Sequence, residues 1–162
     1  MMKKEISAEE ARIKAEAYCS ASEHCVSEVM GKLQQWGAPE DAWEAIVRHL
    51  EKERYVDECR YACAFVRDKY RFNQWGRLKI AQALRMKQIS SSCISEALEE
   101  IDEGEYLSVL FSLLKRKVRT VKASGDYERN GKLIRFAASH GYEMGDILRC
   151  MKKMGCDDEY ME

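Results

Sequence analysis

Residues 43–50 read WEAIVRHL, and this stretch decides the fold class of the chain. Its apolar residues recur at positions i, i+3, i+4 and i+7, the spacing that places side chains on one face of an α-helix. They are Trp43, Ile46, Val47 and Leu50. The same pattern returns at residues 94–101 and 147–154, roughly 50 residues further along each time.

The helix before each apolar stripe repeats in the same register. It carries the apolar pairs Val29 and Leu33, Ile80 and Leu84, and Leu133 and Ala137. Stripes and flanking segments that share a register are typical of tandem repeats, whose units stack on their neighbours. We therefore predict an all-α protein of three tandem three-helix repeats that form an elongated, solenoid-like molecule. The repeats are expected at residues 1–56, 57–102 and 103–156, followed by an acidic tail at 157–162.

Capping and turn residues mark the predicted helix ends. Ser7 opens a capping box, and Pro39, which two acidic residues follow, suits the first turn of a helix. Further N-caps are predicted at Asp57, Asn73, Ser90 and Asp126. We expect Gly37 and Gly141 to end helices, because glycine enters the left-handed conformation without a Cβ penalty.

The composition excludes several classes of protein. The 162 residues include 27 basic and 28 acidic side chains, a net charge of −1, and 46% of the residues are apolar. Disorder needs low hydrophobicity and high net charge, and this chain has neither. The apolar runs are too short to cross a bilayer, and the first residues have no apolar core of a signal peptide. We therefore predict a cytoplasmic protein without a membrane segment.

The seven cysteines are expected to be reduced, as is usual in the cytoplasm. Cys59 and Cys63 lie one helical turn apart, but a second pair of ligands for a metal is missing, so core packing is the expected role. Cys156, in the polar tail, is the one thiol expected to be exposed. No nucleophile, phosphate-binding or metalloprotease motif occurs, and we predict neither an enzyme nor a cofactor.

Charge along the chain is far from even. Residues 60–87 hold eight basic residues and one acidic residue, and residues 106–153 hold eleven basic and four acidic ones. A charge run of this kind is usually a solvated helix face. The first segment, however, also carries aromatic residues such as Trp75, a mixture suited to an interface or to base stacking. Trp75 could equally close the turn between two helices, and the amide groups before Arg77 could bind an anion.

The junction between the first two repeats is the most distinctive stretch. Residues 57–62 read Asp-Glu-Cys-Arg-Tyr-Ala, and residues 76–80 and 84–89 read Gly-Arg-Leu-Lys-Ile and Leu-Arg-Met-Lys-Gln-Ile. Together with the repeat, these segments resemble the RecX family of RecA regulators across nearly the whole chain. Gln88 stands where that family usually has glycine, which predicts a strained left-handed turn, and Lys79 replaces a frequent arginine. Residues 57–62 could also serve mainly as a folding junction.

The resemblance implies a monomeric protein that binds the RecA–DNA filament, with contact to the DNA inside it, and inhibits recombinase, ATPase and co-protease activity. The candidate partner-binding residues are Arg60, Arg67, Arg71, Trp75, Arg77, Lys79, Arg85, Lys87, Lys115 and Arg116. Two alternatives remain open at this point: a helical protein that binds nucleic acid directly, and a helical adaptor for another protein.

Overall fold

The computed structural model describes residues 5–155, and every regular element in that range is a helix. The helices are α1 (Ala8–Ala21), α2 (Val26–Trp36), a 3-10 turn (Glu40–Ala42), α3 (Trp43–Lys52), α4 (Glu58–Arg71), α5 (Arg77–Met86), α6 (Ser91–Glu99), α7 (Glu103–Val118), α8 (Asp126–Ser139) and α9 (Met144–Lys153). The prediction of an all-α helical repeat is confirmed. Over residues 5–155, no helix is long and apolar enough to cross a membrane. Cys156 and the predicted acidic tail lie outside the described residues.

Three predicted N-caps are confirmed by hydrogen bonds. The Ser7 hydroxyl accepts from the amide of Glu10 at 3.1 Å, and the Asp57 carboxylate accepts from the amide of Arg60 at 3.0 Å. Ser90 accepts from the third residue of α6 at 3.3 Å. These side chains satisfy amide groups that the first turn of a helix leaves without a partner.

Two other predicted helix starts are displaced. Asn73 caps nothing, because Gln74 turns into the left-handed region at φ 57° and α5 begins only at Arg77. Asp126 is the first residue of α8 rather than its cap, and Gly125 takes the cap position. Both predictions misplace the start of a helix by a few residues at most, and both helices are present.

The turn that ends the second helix of each repeat has the same conformation in all three. Gly37, Gln88 and Gly141 adopt φ values of 75°, 65° and 95°. Glycine reaches this region freely, whereas the Cβ atom of any other L-residue crowds the backbone there. The predicted left-handed turn at Gln88 is therefore confirmed, and strain at this residue is expected from it.

Replacing Gln88 by glycine should relieve this strain. We expect Gln88→Gly to raise the free energy of unfolding by about 0.5–1 kcal/mol, since the relief outweighs the added freedom of the unfolded chain. Gln82, an exposed residue inside α5, is the matched control, and Gln82→Gly should lower stability by about 1 kcal/mol. Urea unfolding measures both changes. A loss of stability in both variants would contradict the conclusion that Gln88 is strained.

The described chain forms two compact units, each with its own core. Unit 1 comprises residues up to 64 together with 84–96, and unit 2 comprises 65–83 together with the residues from 97 onward. The core of unit 1 buries the predicted stripe residues Val29, Leu33, Ile46 and Leu50. The core of unit 2 buries Leu133, Ala137, Ile147 and Met151 of its own predicted stripes. The division into three repeats at residues 57 and 103 stays a prediction.

Two glycines in unit 2 bring backbone segments into direct contact. The amide of Gly76 donates to the carbonyl of His140 at 2.7 Å, and the amide of Leu78 donates to the carbonyl of Gly141 at 3.0 Å. A Cβ atom on Gly76 would lie 2.4 Å from the carbonyl carbon of Gly141, far inside van der Waals distance. The start of α5 is therefore fixed against the turn that precedes α9.

The prediction that all cysteines are reduced is wrong for two of them. Cys59, at the start of α4, forms a disulfide with Cys93, at the start of α6, and the two Cα atoms lie 4.7 Å apart. Both residues belong to unit 1. The spacing of Cys59 and Cys63 predicted core packing. A disulfide partner 34 residues away does not affect helical periodicity, so this pattern could not identify Cys93.

Candidate partner-binding surface

The ten predicted contact residues are divided between the two units. Those in unit 1 are Arg60, Arg85 and Lys87. Those in unit 2 are Arg67, Arg71, Trp75, Arg77, Lys79, Lys115 and Arg116. Their surroundings differ enough to separate residues held inside the fold from residues available to a partner.

Two basic residues of unit 1 are held by ion pairs. Arg60 is bound to Glu23 through its Nε atom and donates a further hydrogen bond to the carbonyl of Arg54 at 3.1 Å. The Lys87 ammonium donates to Glu28 at 3.1 Å. These contacts favour the folding-junction interpretation of residues 57–62, because Arg60 connects α4 to the chain before α2. Arg85 is exposed on α5.

Arg77 lies at the centre of an acidic cluster in unit 2. Its guanidinium pairs with Glu103 and with Glu143, the latter at 2.9 Å, and sits 3.9 Å from the ring centre of Tyr106. Burial alone would lower the pKa of Arg77, but the two carboxylates outweigh it and raise the pKa. Arg77 therefore stays charged and connects α5 to α7 and to the N-terminus of α9.

Tyr106 completes this cluster from the core. The side chain is fully buried; its hydroxyl donates to Glu143 at 2.5 Å and accepts from the amide of Arg77 at 2.9 Å. Burial, together with the hydrogen bond to Glu143, raises the pKa of Tyr106. Its ring stacks on that of Tyr70 and contacts that of Tyr142 at a tilt, at centroid distances of 6.0 and 5.1 Å.

The anion site predicted at the start of α5 is wrong. The amide groups of Gly76, Arg77 and Leu78 all donate within the protein, to the carbonyls of His140 and Gly141 and to the Tyr106 hydroxyl. A helix N-terminus binds an anion only when its amide groups point at open space. Replacing Arg77 by an acidic residue would therefore disturb the packing of unit 2, and this effect would precede any effect on partner binding.

Trp75, by contrast, presents a basic and aromatic surface. Its half-buried ring has the ammonium group of Lys69 at 4.9 Å and that of Lys79 at 4.6 Å from the ring centre. A cation held over an indole ring keeps its charge in a defined place near the surface. Arg71 and Phe72, at the end of α4, are exposed, Phe72 to 82%.

The two basic segments of the sequence meet beside this ring. The Arg116 guanidinium on α7 donates to the side chain of Gln74 at 2.8 Å. Next to it, the Lys117 ammonium lies 4.8 Å from the ring centre of Phe136 on α8. We refer to the surface formed by Lys69, Gln74, Trp75, Lys79, Arg116 and Lys117 as the Trp75–Arg116 surface. It borders a cleft of about 260 Å³ lined in part by Gln74, Arg116 and Phe136.

The sequence predicted three of these six residues as contacts, Trp75, Lys79 and Arg116, and missed Lys69, Gln74 and Lys117. Each lies in a basic segment or its turn, yet only the fold joins α4, α5 and α7 there. The other predicted residues of unit 2 lie elsewhere: Arg67 pairs with Glu100 at 3.5 Å, and Lys115 sits over the ring of Phe111 at 5.4 Å.

Among residues 5–155, no group of three or more histidine, cysteine and acidic side chains could hold a metal ion. The titratable groups with the largest upward pKa shifts are core tyrosines such as Tyr61 and Tyr106, and burial is the main cause in both. Such shifts reflect packing, because each hydroxyl bonds a carboxylate of its own unit.

Two family models match the chain. The second three-helix domain of RecX matches residues 57–98, and the third three-helix domain matches residues 103–151. The chain belongs to the RecX family. The matched ranges cover α4–α6 and α7–α9 except for the last residues of α6 and α9, so each family domain corresponds to one set of three helices in this RecX protein.

Curated relatives support the same family. Regulatory protein RecX of Clostridium perfringens strain 13 is 29% identical over 137 residues, which cover 83% of this chain and 63% of that protein. Regulatory protein RecX of Pelodictyon phaeoclathratiforme is 27% identical over 139 residues, which cover 84% of this chain and 85% of that protein. The chain thus spans a little under two thirds of the Clostridium relative.

Solved RecX structures share the fold. A crystal structure of regulatory protein RecX superposes with a TM-score of 0.80 at 22% identity, over 90% of this chain and 73% of that one. The structure of RecX from Lactobacillus salivarius gives a TM-score of 0.82 at 18% identity, over 91% of this chain and 96% of that one. Because both sequence identities are low, these structural similarities establish the fold of the chain and nothing more.

Proposed function

We propose that this RecX protein binds the RecA–DNA filament and inhibits RecA recombinase, ATPase and co-protease activity. It acts as a monomeric, cytoplasmic regulator without catalytic activity of its own. Membership of a family of regulatory proteins supports the first part of this proposal. The observation that carries the contact site is the Trp75–Arg116 surface, where Lys69 of α4 and Lys79 of α5 lie over the half-buried Trp75 ring and Arg116 of α7 binds the adjacent Gln74.

The chemistry of this surface suits a partner that combines acidic groups with flat apolar ones. Lys69 and Lys79 are already held over Trp75, so less side-chain freedom is lost when they meet an anion. Aromatic residues and arginine are the types enriched where protein interfaces carry most of their energy. Basic groups at the rim should mainly set orientation and association rate.

Charge reversal beside Trp75 should weaken inhibition. With Lys69→Glu and Lys79→Glu combined, we expect the concentration that half-inhibits DNA-stimulated ATP hydrolysis by the cognate RecA to rise at least about tenfold, or ~1.4 kcal/mol. The reason is that both cations face any partner of the Trp75 ring. Helicity measured by circular dichroism should stay unchanged.

The control is a matched pair of lysines in unit 1. Lys14 and Lys32 lie over the rings of Trp36 and Tyr18 at 5.2 and 5.5 Å, so Lys14→Glu with Lys32→Glu changes the same charge in the same kind of contact. This control should inhibit RecA as the wild type does. Equal loss of inhibition in both pairs would show that net charge, and not the Trp75–Arg116 surface, is responsible.

Direct binding to nucleic acid is a second candidate function, and the stacking of Lys69 and Lys79 on Trp75 is the observation that favours it. Binding through phosphate contacts falls steeply as salt increases. Fluorescence anisotropy with a labelled single-stranded oligonucleotide at low salt separates the two functions. Inhibition of RecA without binding to free DNA would reject the second.

A further inference from the structure

A second cleft in unit 2 lies away from Trp75. It has a volume of about 500 Å³ and lies between α7 and α9. Residues at positions i, i+3, i+4 and i+7 of α7 form one wall: Gly104, Leu107, Ser108 and Phe111. This two-turn stripe, roughly 10 Å long, is a partly exposed face of α7.

The opposite wall is strongly basic. It consists of Arg149, Cys150, Lys152 and Lys153 of α9, and none of the described residues that line the cleft is acidic. The side chain of Arg149 is 65% exposed and pairs with Asp146 at 3.7 Å, whereas Lys152 and Lys153 are exposed on the last turn of α9. The Lys115 ammonium, over the ring of Phe111, adds a fourth cation at the end of the α7 wall.

A hydrogen bond joins the two walls at the base of the cleft. The buried Cys150 thiol donates to the carbonyl of Leu107 at 3.6 Å and connects the two walls. Burial, reinforced by Asp146, raises the pKa of Cys150, so the thiol stays protonated and serves as an apolar surface. Leu107 and Phe111 remain half-buried above it.

We propose that this cleft is a docking site for an acidic amphipathic helix of a partner protein. The apolar stripe of such a helix would contact Leu107 and Phe111, and its carboxylates would meet the cations of α9. A helix that lies in a groove between two others is recognised through anchors at i, i+3, i+4 and i+7, the same spacing that α7 presents. The proposal does not depend on RecA being the partner.

A cleft of similar size in unit 1 has the opposite charge. It measures about 530 Å³, and its lining carries Glu40, Glu44 and Glu51 against a single cation, Arg48, which pairs with Glu44. An acidic helix is repelled there because like charges at an interface are unfavourable. The charge of the rim therefore directs an acidic partner to unit 2.

The test uses a fluorescein-labelled designed peptide of about 16 residues, long enough for four helical turns. Leucines at one i, i+3, i+4, i+7 stripe and glutamates elsewhere match the cleft. We expect saturable binding by fluorescence anisotropy with a Kd of about 10–100 µM, and at least about tenfold weaker binding of a peptide with the same composition and a scrambled stripe.

Variants of the full chain locate the binding. Lys152→Glu with Lys153→Glu, both at exposed positions, should weaken binding at least about tenfold at unchanged helicity. Lys14→Glu with Lys32→Glu should bind as the wild type does. A nuclear magnetic resonance titration should shift the amide signals of Leu107 and Ser108 first.

Several outcomes would overturn the proposal. These are no anisotropy change up to about 1 mM peptide, equal binding of the scrambled peptide, or unchanged binding by the α9 variant. Binding that appears only after residues 156–162 are removed would assign the cleft to this chain's own acidic tail. Loss of concentration-dependent self-association in the α9 variant would assign it to a second copy of the chain.

Discussion

Gly76→Ala should destabilise the protein by about 4 kcal/mol, a large part of the total stability of a small protein. The new methyl group would lie 2.4 Å from the carbonyl oxygen of Gly141 and 2.5 Å from the amide nitrogen of Tyr142. Neither backbone group can move aside as a flexible side chain can. Separation of the two segments would also break the hydrogen bonds from Gly76 to His140 and from Leu78 to Gly141.

Gly145→Ala is the matched control in the same unit. Gly145 belongs to α9, and a Cβ atom built on it meets nothing within 4 Å. This substitution should leave stability unchanged or raise it by up to about 1 kcal/mol, because alanine favours a helix. Urea unfolding monitored by circular dichroism compares the two variants. Equal unfolding midpoints would contradict the close approach of Gly76 and Gly141.

Cys93→Ser should lower the free energy of unfolding by about 4 kcal/mol under non-reducing conditions. The disulfide from Cys59 to Cys93 spans 34 residues, and a cross-link of that span restricts the unfolded chain by about this amount in the loop-entropy model. Iodoacetamide labelling supplies an independent check. Two more thiols of the unfolded wild-type chain should react after treatment with a reductant than before it.

Reductant is the internal control for this variant. In its presence the wild type loses the cross-link, so the two proteins should differ by less than about 1 kcal/mol, the remaining effect of a hydroxyl at a mostly buried site. An undiminished difference in reductant would show that Cys93 acts through packing alone. The disulfide would then not be a stabilising element of unit 1.

The helical repeat could be read from the sequence because its signal is local. Leu33 and Leu50 are fully buried, and so are Leu84 and Ile147, each at its predicted stripe position. Helical periodicity depends only on neighbours within two turns, and side chains on one face share a burial state. The left-handed turn at Gln88 was also predictable, because its place in the repeat corresponds to Gly37 and Gly141.

The candidate site was only partly predictable because its contacts join distant parts of the chain. Arg77 was expected to face a partner, yet it pairs with Glu103, the first residue of α7, and with Glu143, which directly precedes α9. Charge counts along a sequence do not distinguish a cation held in such a cluster from one held at the surface. Lys69 contacts Trp75 and Arg116 contacts Gln74, so both reach the same turn of unit 2 although they are far apart in the sequence.

The basic residues that pair with carboxylates inside the fold are poorer candidates for partner contact than those at the surface. Arg60, Arg77 and Lys87 bind carboxylates of their own unit. Breaking a partly buried pair leaves the remaining charge without a partner and destabilises the fold. Lys79 and Arg116, by contrast, lie beside Trp75 and Gln74, where we expect substitution to cost little stability.

The most direct test of the central claim is a titration of this RecX protein into the DNA-stimulated ATP hydrolysis of its cognate RecA. We expect the hydrolysis rate to fall progressively as the protein is added across the micromolar range, and to recover in the Lys69→Glu and Lys79→Glu variant at the same concentrations. A rate that stays constant across that range would contradict the proposal that this protein inhibits RecA.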